Sequence, residues 1–240
     1  MDYISAAKDT CVKREFMKAG KKVAVYPSAV PDMPVMYLNT FSEEGDGVYR
    51  LLRDISRLDF TLVAISNLAW NHDMSPWAVP PISKGDMPCT GGADEYLELL
   101  LHEIVPEAEK RAPGTPAWRG LAGYSLAGLF AVYAIYRTNV FSRIGSMSGS
   151  LWYPNFREYA MEHELRCRPQ AMYFSLGDRE CRTRNPFLKT VRDNTEALRD
   201  FYSESGVDAL FQLNPGGHFK DTDGRTAAGV AWLLDETRTI

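Results

Sequence analysis

Residues 123–128 read Gly-Tyr-Ser-Leu-Ala-Gly, which sets Ser125 between small residues at the end of one apolar run and the head of another. This fits a nucleophile elbow, G-x-S-x-G with Ala127 in place of the second glycine. In such an elbow the chain turns sharply from strand to helix, and the serine is held in a strained conformation with its hydroxyl above the sheet. Gly123 and Ala127 must then be small to fit the turn, and Gly128 lets the helix approach the sheet. The competing use of a serine at this point is to cap the following helix. The order of apolar run, turn and long helical run over 119–137 favours the elbow.

A serine hydroxyl is a poor nucleophile at neutral pH and needs a base, itself oriented by a third group. The chain has four histidines. His218 lies in Asn214-Pro215-Gly216-Gly217-His218-Phe219, a turn after the last strand candidate, from which an imidazole can swing over the elbow. His163 sits in a charged stretch that reads as a solvated face, without the H-E-x-x-H spacing of a zinc site. His72 and His102 precede the serine and are assigned to structure or surface, although His72 could touch substrate. The acid is expected after the strand candidate 171–176, where Gly177-Asp178-Arg179-Glu180 offers two carboxylates. Glu180 has the longer reach and is preferred over Asp178. The alternative leaves both on a solvated turn beside Arg179 or Arg182, where ion pairs are worth little. Backbone N–H groups must also meet the developing oxyanion, at about 3 kcal/mol per donor. One is expected from Leu126 and another from Thr40 or Phe41, with Phe41 taken as the donor.

These residues need a scaffold. Strand candidates are 22–26, 34–38, 60–65, 119–124, 143–147, 171–176 and 209–213. Helix-length segments are 93–110, 126–137, 185–205 and 226–237. Their alternation predicts an α/β fold, a mostly parallel central sheet with helices on both faces and an antiparallel start. A chain of 240 residues with 45% hydrophobic content suits one domain over 1–240. Segment 67–92 lacks periodicity and carries Pro76, Pro80, Pro81, Pro88, Trp70 and Trp77. It reads either as a substrate-side cover or as a self-packed excursion.

The net charge of −4 is spread along the chain, so small molecules are expected as partners rather than nucleic acid or membrane; oligomeric state is left open. No secretory-type segment or long apolar run is present, and a soluble, cytoplasmic protein is expected. Cys11, Cys89, Cys167 and Cys181 show no metal-ligand spacing and read as free thiols. Ser5 and Lys8 spell S-x-x-K without an evident oxyanion hole.

With elbow, acid and histidine placed, the chain resembles the esterase family of α/β-hydrolases that includes enterobactin and other siderophore esterases, S-formylglutathione hydrolases and feruloyl esterases. The resemblance lies in 34–38, Gly91-Gly92-Ala93-Asp94-Glu95-Tyr96, 123–128, Met147-Ser148-Gly149-Ser150-Leu151-Trp152, 177–180 and Gly216-Gly217-His218. It implies an α/β-hydrolase fold, a triad in the chain order Ser125, Glu180, His218, and neither metal nor other cofactor. The apolar-Gly-x-x-acid pattern of relatives selects Glu180 and leaves Asp178 to fix the turn. Asn39-Thr40-Phe41-Ser42 stands where relatives often have an Asp-Gly turn. Leu151-Trp152-Tyr153 resembles a substrate-facing aromatic segment, so Trp152, with Trp70 and Trp77, could line a pocket for a bulky acyl group, core packing being the alternative. The activity expected is serine-dependent hydrolysis of a small-molecule carboxylic ester through an acyl-enzyme, with a siderophore-like or sugar ester as substrate. Acyl transfer by the same triad, or ligand binding without turnover, are the alternatives.

Overall fold

The computed structural model describes residues 12–235; Cys11, Ser5 and Lys8 lie outside them. The strands are β1 (Arg14–Lys18), β2 (Lys21–Tyr26), β3 (Val35–Asn39), β4 (Thr61–Ser66), β5 (Ala78–Val79), β6 (Cys89–Thr90), β7 (Arg119–Tyr124), β8 (Arg143–Met147), β9 (Ala171–Gly177) and β10 (Asp208–Asn214). The helices are α1 (Gly45–Ile55), α2 (Trp70–Asp73), α3 (Ala93–Leu99), α4 (Val105–Glu109), α5 (Leu126–Ala134), α6 (Phe156–Glu162), α7 (Val191–Glu204) and α8 (Thr222–Leu234). Eight strands form one sheet in the order β1-β2-β4-β3-β7-β8-β9-β10, and β5 pairs with β6 separately. Within the large sheet β1 and β2 are antiparallel to their neighbours and the other pairs are parallel, as the sequence predicts, while the separate β5–β6 pair is antiparallel. This is the α/β-hydrolase architecture.

β3, β4, β8 and β9 are buried at every position, because each is covered on both faces. One face packs Tyr37, Val63, Leu121 and Phe174 against residues of α3 to α7. The other packs Met36, Leu62, Ala122 and Tyr173 against Val48 and Leu52 of α1 and Val230 and Leu233 of α8. All nine residues of α5 are buried, so this helix has no polar stripe and runs through the interior.

The register brings the chemistry to one edge. Asn39 pairs with Gly123, Gly123 with Ser146, Met147 with Ser175, and Gly177 with Asn214. The loops leaving β3, β7, β8, β9 and β10 therefore emerge side by side at the carboxyl ends of the strands, where parallel sheets place their ligands.

Outside segment 67–92, which itself holds the short α2, β5 and β6, three elements were not anticipated. β1 is a mostly exposed, charged edge strand without an apolar run. α1 opens with Gly45 and Gly47, poor helix formers, and is anchored through Val48 and Leu52, four residues apart. α6 is a short helix entered through Asn155 in the left-handed conformation. The helix predicted over 93–110 is interrupted by a π turn at Leu100–Ile104, where the Val105 N–H reaches the Leu100 carbonyl. Pro106 lacks an N–H and its ring would strike the carbonyl of His102 in a regular helix; the wider turn relieves that conflict.

At the elbow, Ser125 adopts φ 60° and ψ −124°, and its side chain makes no capping bond. The helix-cap alternative is thus not what is observed. A Cβ on Gly123 would lie 2.4 Å from the Ala127 Cβ and 2.5 Å from its carbonyl carbon, both in a rigid part of the turn. Gly123→Ala is expected to destabilise the fold by about 1–3 kcal/mol through overpacking. At about 2–4 °C per kcal/mol for a chain of this size, calorimetry should register a clear fall in Tm.

Candidate functional site

Ser125 sits at the β7–α5 turn, His218 in the loop after β10 and Glu180 in the loop after β9. His218 Nε2 lies 3.1 Å from Ser125 Oγ, and His218 Nδ1 lies 2.7 Å from Glu180 Oε2. A continuous hydrogen-bonded series from hydroxyl to imidazole to carboxylate results. Gly177 permits it, since a Cβ there would come within 2.3 Å of the Gly216 carbonyl oxygen and push the two loops apart.

The two carboxylates have separate tasks. Asp178 accepts the Gly216 N–H at 2.7 Å, while its own N–H meets the Asn214 carbonyl at 2.7 Å. It thereby shapes the loop that carries His218. Glu180 is the one beside the imidazole, with a side chain only 5% exposed. Its second oxygen accepts the Ser148 hydroxyl at 2.7 Å, the Gly177 N–H, and Arg225 Nη1 at 3.3 Å. Burial pushes the Glu180 carboxyl up, but the hydrogen bonds from His218, the Gly177 N–H and Ser148, with the attraction of His218, hold it below the ordinary value of 4.5.

Arg225 is the residue the sequence reading missed. It is 4% exposed, and besides Glu180 it donates to the Tyr124 hydroxyl, Ser148 Oγ and the Pro215 carbonyl. The Tyr124 hydroxyl in turn donates to the His218 carbonyl at 2.6 Å. Arg225 thus ties the elbow, the acid and the histidine loop together from beneath. The available signal was a lone arginine directly before the apolar run of α8.

The N–H groups above the elbow are equally informative. The Thr40 N–H is engaged with the Ile65 carbonyl at 2.8 Å, an extension of the sheet. Of the two candidates in this loop, Thr40 is therefore committed elsewhere and Phe41 is left. The Leu126 N–H is the first of α5, where no intrahelical acceptor exists.

Two lobes of a cavity meet at Ser125 and His218. The first, about 500 Å³, is lined by Leu126, Ser150, Trp152 and Tyr153, and by Val79, Ile82 and Met87 of segment 67–92. The second, about 600 Å³, extends past Phe41, Tyr124 and Thr226. Trp70 and Phe219 border both. Trp77 is different: its ring packs on Tyr153 and Tyr159, and its Nε1 donates to the Pro154 carbonyl. For Trp77, core packing is what is observed.

The remaining histidines line neither lobe. His72 Nδ1 is 2.7 Å from Thr90 Oγ1, with its ring against Gly92; His102 pairs with Glu98 on the surface, and His163 stacks on Tyr159. Cys89, Cys167 and Cys181 are free. Among the described residues there is no group of three His, Cys, Asp or Glu side chains suited to a metal ion, and no helix long and apolar enough to cross a membrane.

An elbow serine after β7, an acid after β9 and an imidazole after β10, all at one edge of this sheet, define an α/β-hydrolase. Residues 39–206 match the model of the family described as "Putative esterase", and the chain belongs to that family. It is 28% identical over 137 residues to the uncharacterized protein YbbA of Bacillus subtilis, and spans 55% of that relative's length. Among solved structures it is similar to an IroE-like serine hydrolase from Shewanella oneidensis, with TM-score 0.77 and 18% identity over 93% of this chain and 79% of the other. It is also similar to the BES protein from Bacillus cereus, with TM-score 0.70 and 15% identity over 98% and 97% of the two chains. The siderophore hydrolase EstB from Aspergillus nidulans gives TM-score 0.64 and 16% identity over 93% and 95%. At these identities the structural likeness is one of fold.

Proposed function

We propose that this chain is a serine-dependent carboxylic ester hydrolase acting through an acyl-enzyme on a small-molecule ester. The observation that carries the proposal is the hydrogen-bonded series Ser125, His218, Glu180 at the junction of two cavity lobes, one for each half of an ester. Ser125 Oγ attacks the acyl carbon as His218 Nε2 takes its proton, and the Leu126 and Phe41 N–H groups meet the oxyanion. His218 then hands the proton to the leaving alcohol. Water repeats the sequence on the acyl-enzyme and regenerates Ser125. Glu180 holds Nδ1–H and stabilises the imidazolium. Segment 67–92 acts as a substrate-side cover, and Trp152 opposite it contacts the substrate. The His218 side chain remains 28% exposed, so water can reach the acyl-enzyme, which favours hydrolysis over acyl transfer.

The test is labelling with a fluorophosphonate probe, location of the adduct by mass spectrometry, and a p-nitrophenyl ester assay on the same sample. An adduct on Ser125 with turnover is the expected result; folded protein that neither labels nor turns over would leave a binding role. Phe41→Pro deletes one N–H of the proposed oxyanion pair. It is expected to lower kcat by about 10²–10³ with a smaller change in KM, read from steady-state kinetics.

A further inference from the structure

The second lobe has a charge character of its own. Its wall combines the rings of Phe41, Trp70, Tyr124 and Phe219 with the carboxylates of Glu44 and Asp223. Among the described residues no lysine or arginine lines either lobe, and the first lobe adds Asp86. The Glu180 charge is already matched by Arg225, and its other oxygen meets His218 Nδ1. Glu44 accepts the Ser42 N–H at 2.8 Å, and Asp223 lies 3.4 Å from the Thr222 hydroxyl; neither forms an ion pair among the described residues. Both flank the first turn of α1, whose free N–H groups attract negative charge. Gly47 leaves the space Asp223 occupies, since a Cβ there would lie 2.4 Å from Asp223 Oδ2.

Two further features point to a ligand rather than to a solvated acidic surface. Phe41 and Phe219 are 66% and 88% exposed although they flank the serine, and Phe41 stands edge-on to Trp70 at 5.1 Å. Rings left out of the core around a reacting group offer faces to a substrate, and such faces attract cations. Asn39 also lines this lobe; it is 1% exposed, its Oδ1 accepts the Tyr96 hydroxyl, and its Nδ2 has no partner. A buried donor without an acceptor in a cavity wall suits a substrate oxygen.

We propose that the second lobe receives a positively charged, ammonium-bearing half of the ester, with Glu44 and Asp223 as specificity-determining residues. This rests on the serine-esterase reading above. Aromatic faces and carboxylates attract the cation, the Asn39 amide meets an oxygen near it, and the same field repels esters bearing carboxylate or phosphate.

Two substrate series test this. In the first, one acyl group is esterified to choline, to its neutral isostere 3,3-dimethylbutanol, and to a carboxylate-bearing alcohol. In the second, the ammonium, neutral or carboxylate group is on the acyl half. In at least one series kcat/KM at low salt should rank cationic above neutral above anionic, spanning roughly 10-fold or more, and the span should shrink as ionic strength rises. Glu44→Gln and Asp223→Asn should each narrow the cation-to-anion ratio several-fold. If either variant fails to fold, the salt dependence of the wild-type ratio decides. The series that ranks identifies the half of the ester that enters the lobe. Flat or reversed ranking in both series, with Ser125 still labelled and neutral esters turned over, overturns the charge selection and leaves the esterase reading standing. Loss of labelling and of all turnover in the wild type overturns both.

Discussion

Ser125→Ala is expected to lower kcat for a p-nitrophenyl ester by about 10⁵–10⁶ and to abolish the fluorophosphonate adduct, because no second hydroxyl can take its place at the elbow. Ser150 Oγ is the nearest alternative, 3.4 Å from Ser125 Oγ. Its hydrogen bonding does not extend to His218 among the contacts of the series, so it lacks the base that would activate it. Alanine also suits the site sterically, since it removes only one oxygen and leaves the turn's backbone bonds, such as the Ser150 N–H to the Ser125 carbonyl at 3.0 Å, in place. The variant should therefore fold, and circular dichroism beside the kinetics separates lost chemistry from lost structure. Wild-type turnover in this variant would refute the proposed nucleophile.

Glu180→Gln should have the second largest effect, about 10⁴ in kcat. An amide in place of the carboxylate can present an N–H to His218 Nδ1, which reverses the tautomer that Nε2 needs to accept the serine proton. The substitution also removes the charge opposite the buried Arg225 guanidinium, 3.3 Å away, and an unmatched buried charge is costly. Stability should therefore fall along with activity, and its pH dependence gives an independent check. The Glu180 carboxyl is held below 4.5 in the folded protein. A carboxyl whose folded value is depressed binds its proton more readily when unfolded. Its stabilisation is thus complete above 4.5 and is lost as pH falls through the lower folded value. The wild-type-minus-variant difference in unfolding free energy should be constant at neutral pH and decline on acidification below that point. A difference that grew instead would show that Glu180 does not carry the charge assigned to it.

Much of the architecture was legible because its signals are local. The buried strands β3, β4 and β9 are mainly apolar runs and β8 is a shorter mixed one, and the predicted and observed bounds of all four differ by about a residue at most. The elements that escaped have weak local signals. α1 is held by two apolar contacts to the sheet that its own composition does not advertise, and β1 gains its place by pairing with β2.

The site divides along the same physical line. Ser125 was identifiable because the elbow needs small residues at fixed offsets, and His218 because few histidines follow the serine. Those are constraints written in one dimension. The separation of Glu180 from Asp178 was decided in three, by which oxygen reaches Nδ1 and which caps the Gly216 N–H. So were the burial of Arg225 beneath the loops, the commitment of Thr40 to Ile65, and the removal of Trp77 into the core while Trp70 and Trp152 stayed on the cavity wall. Residue types and short spacings set which groups could react, since backbone strain and helix or strand periodicity act over a few residues. Partner choice among groups 25 to 101 positions apart depends on strand register and on loops meeting at the sheet edge, and only the folded chain brings those together.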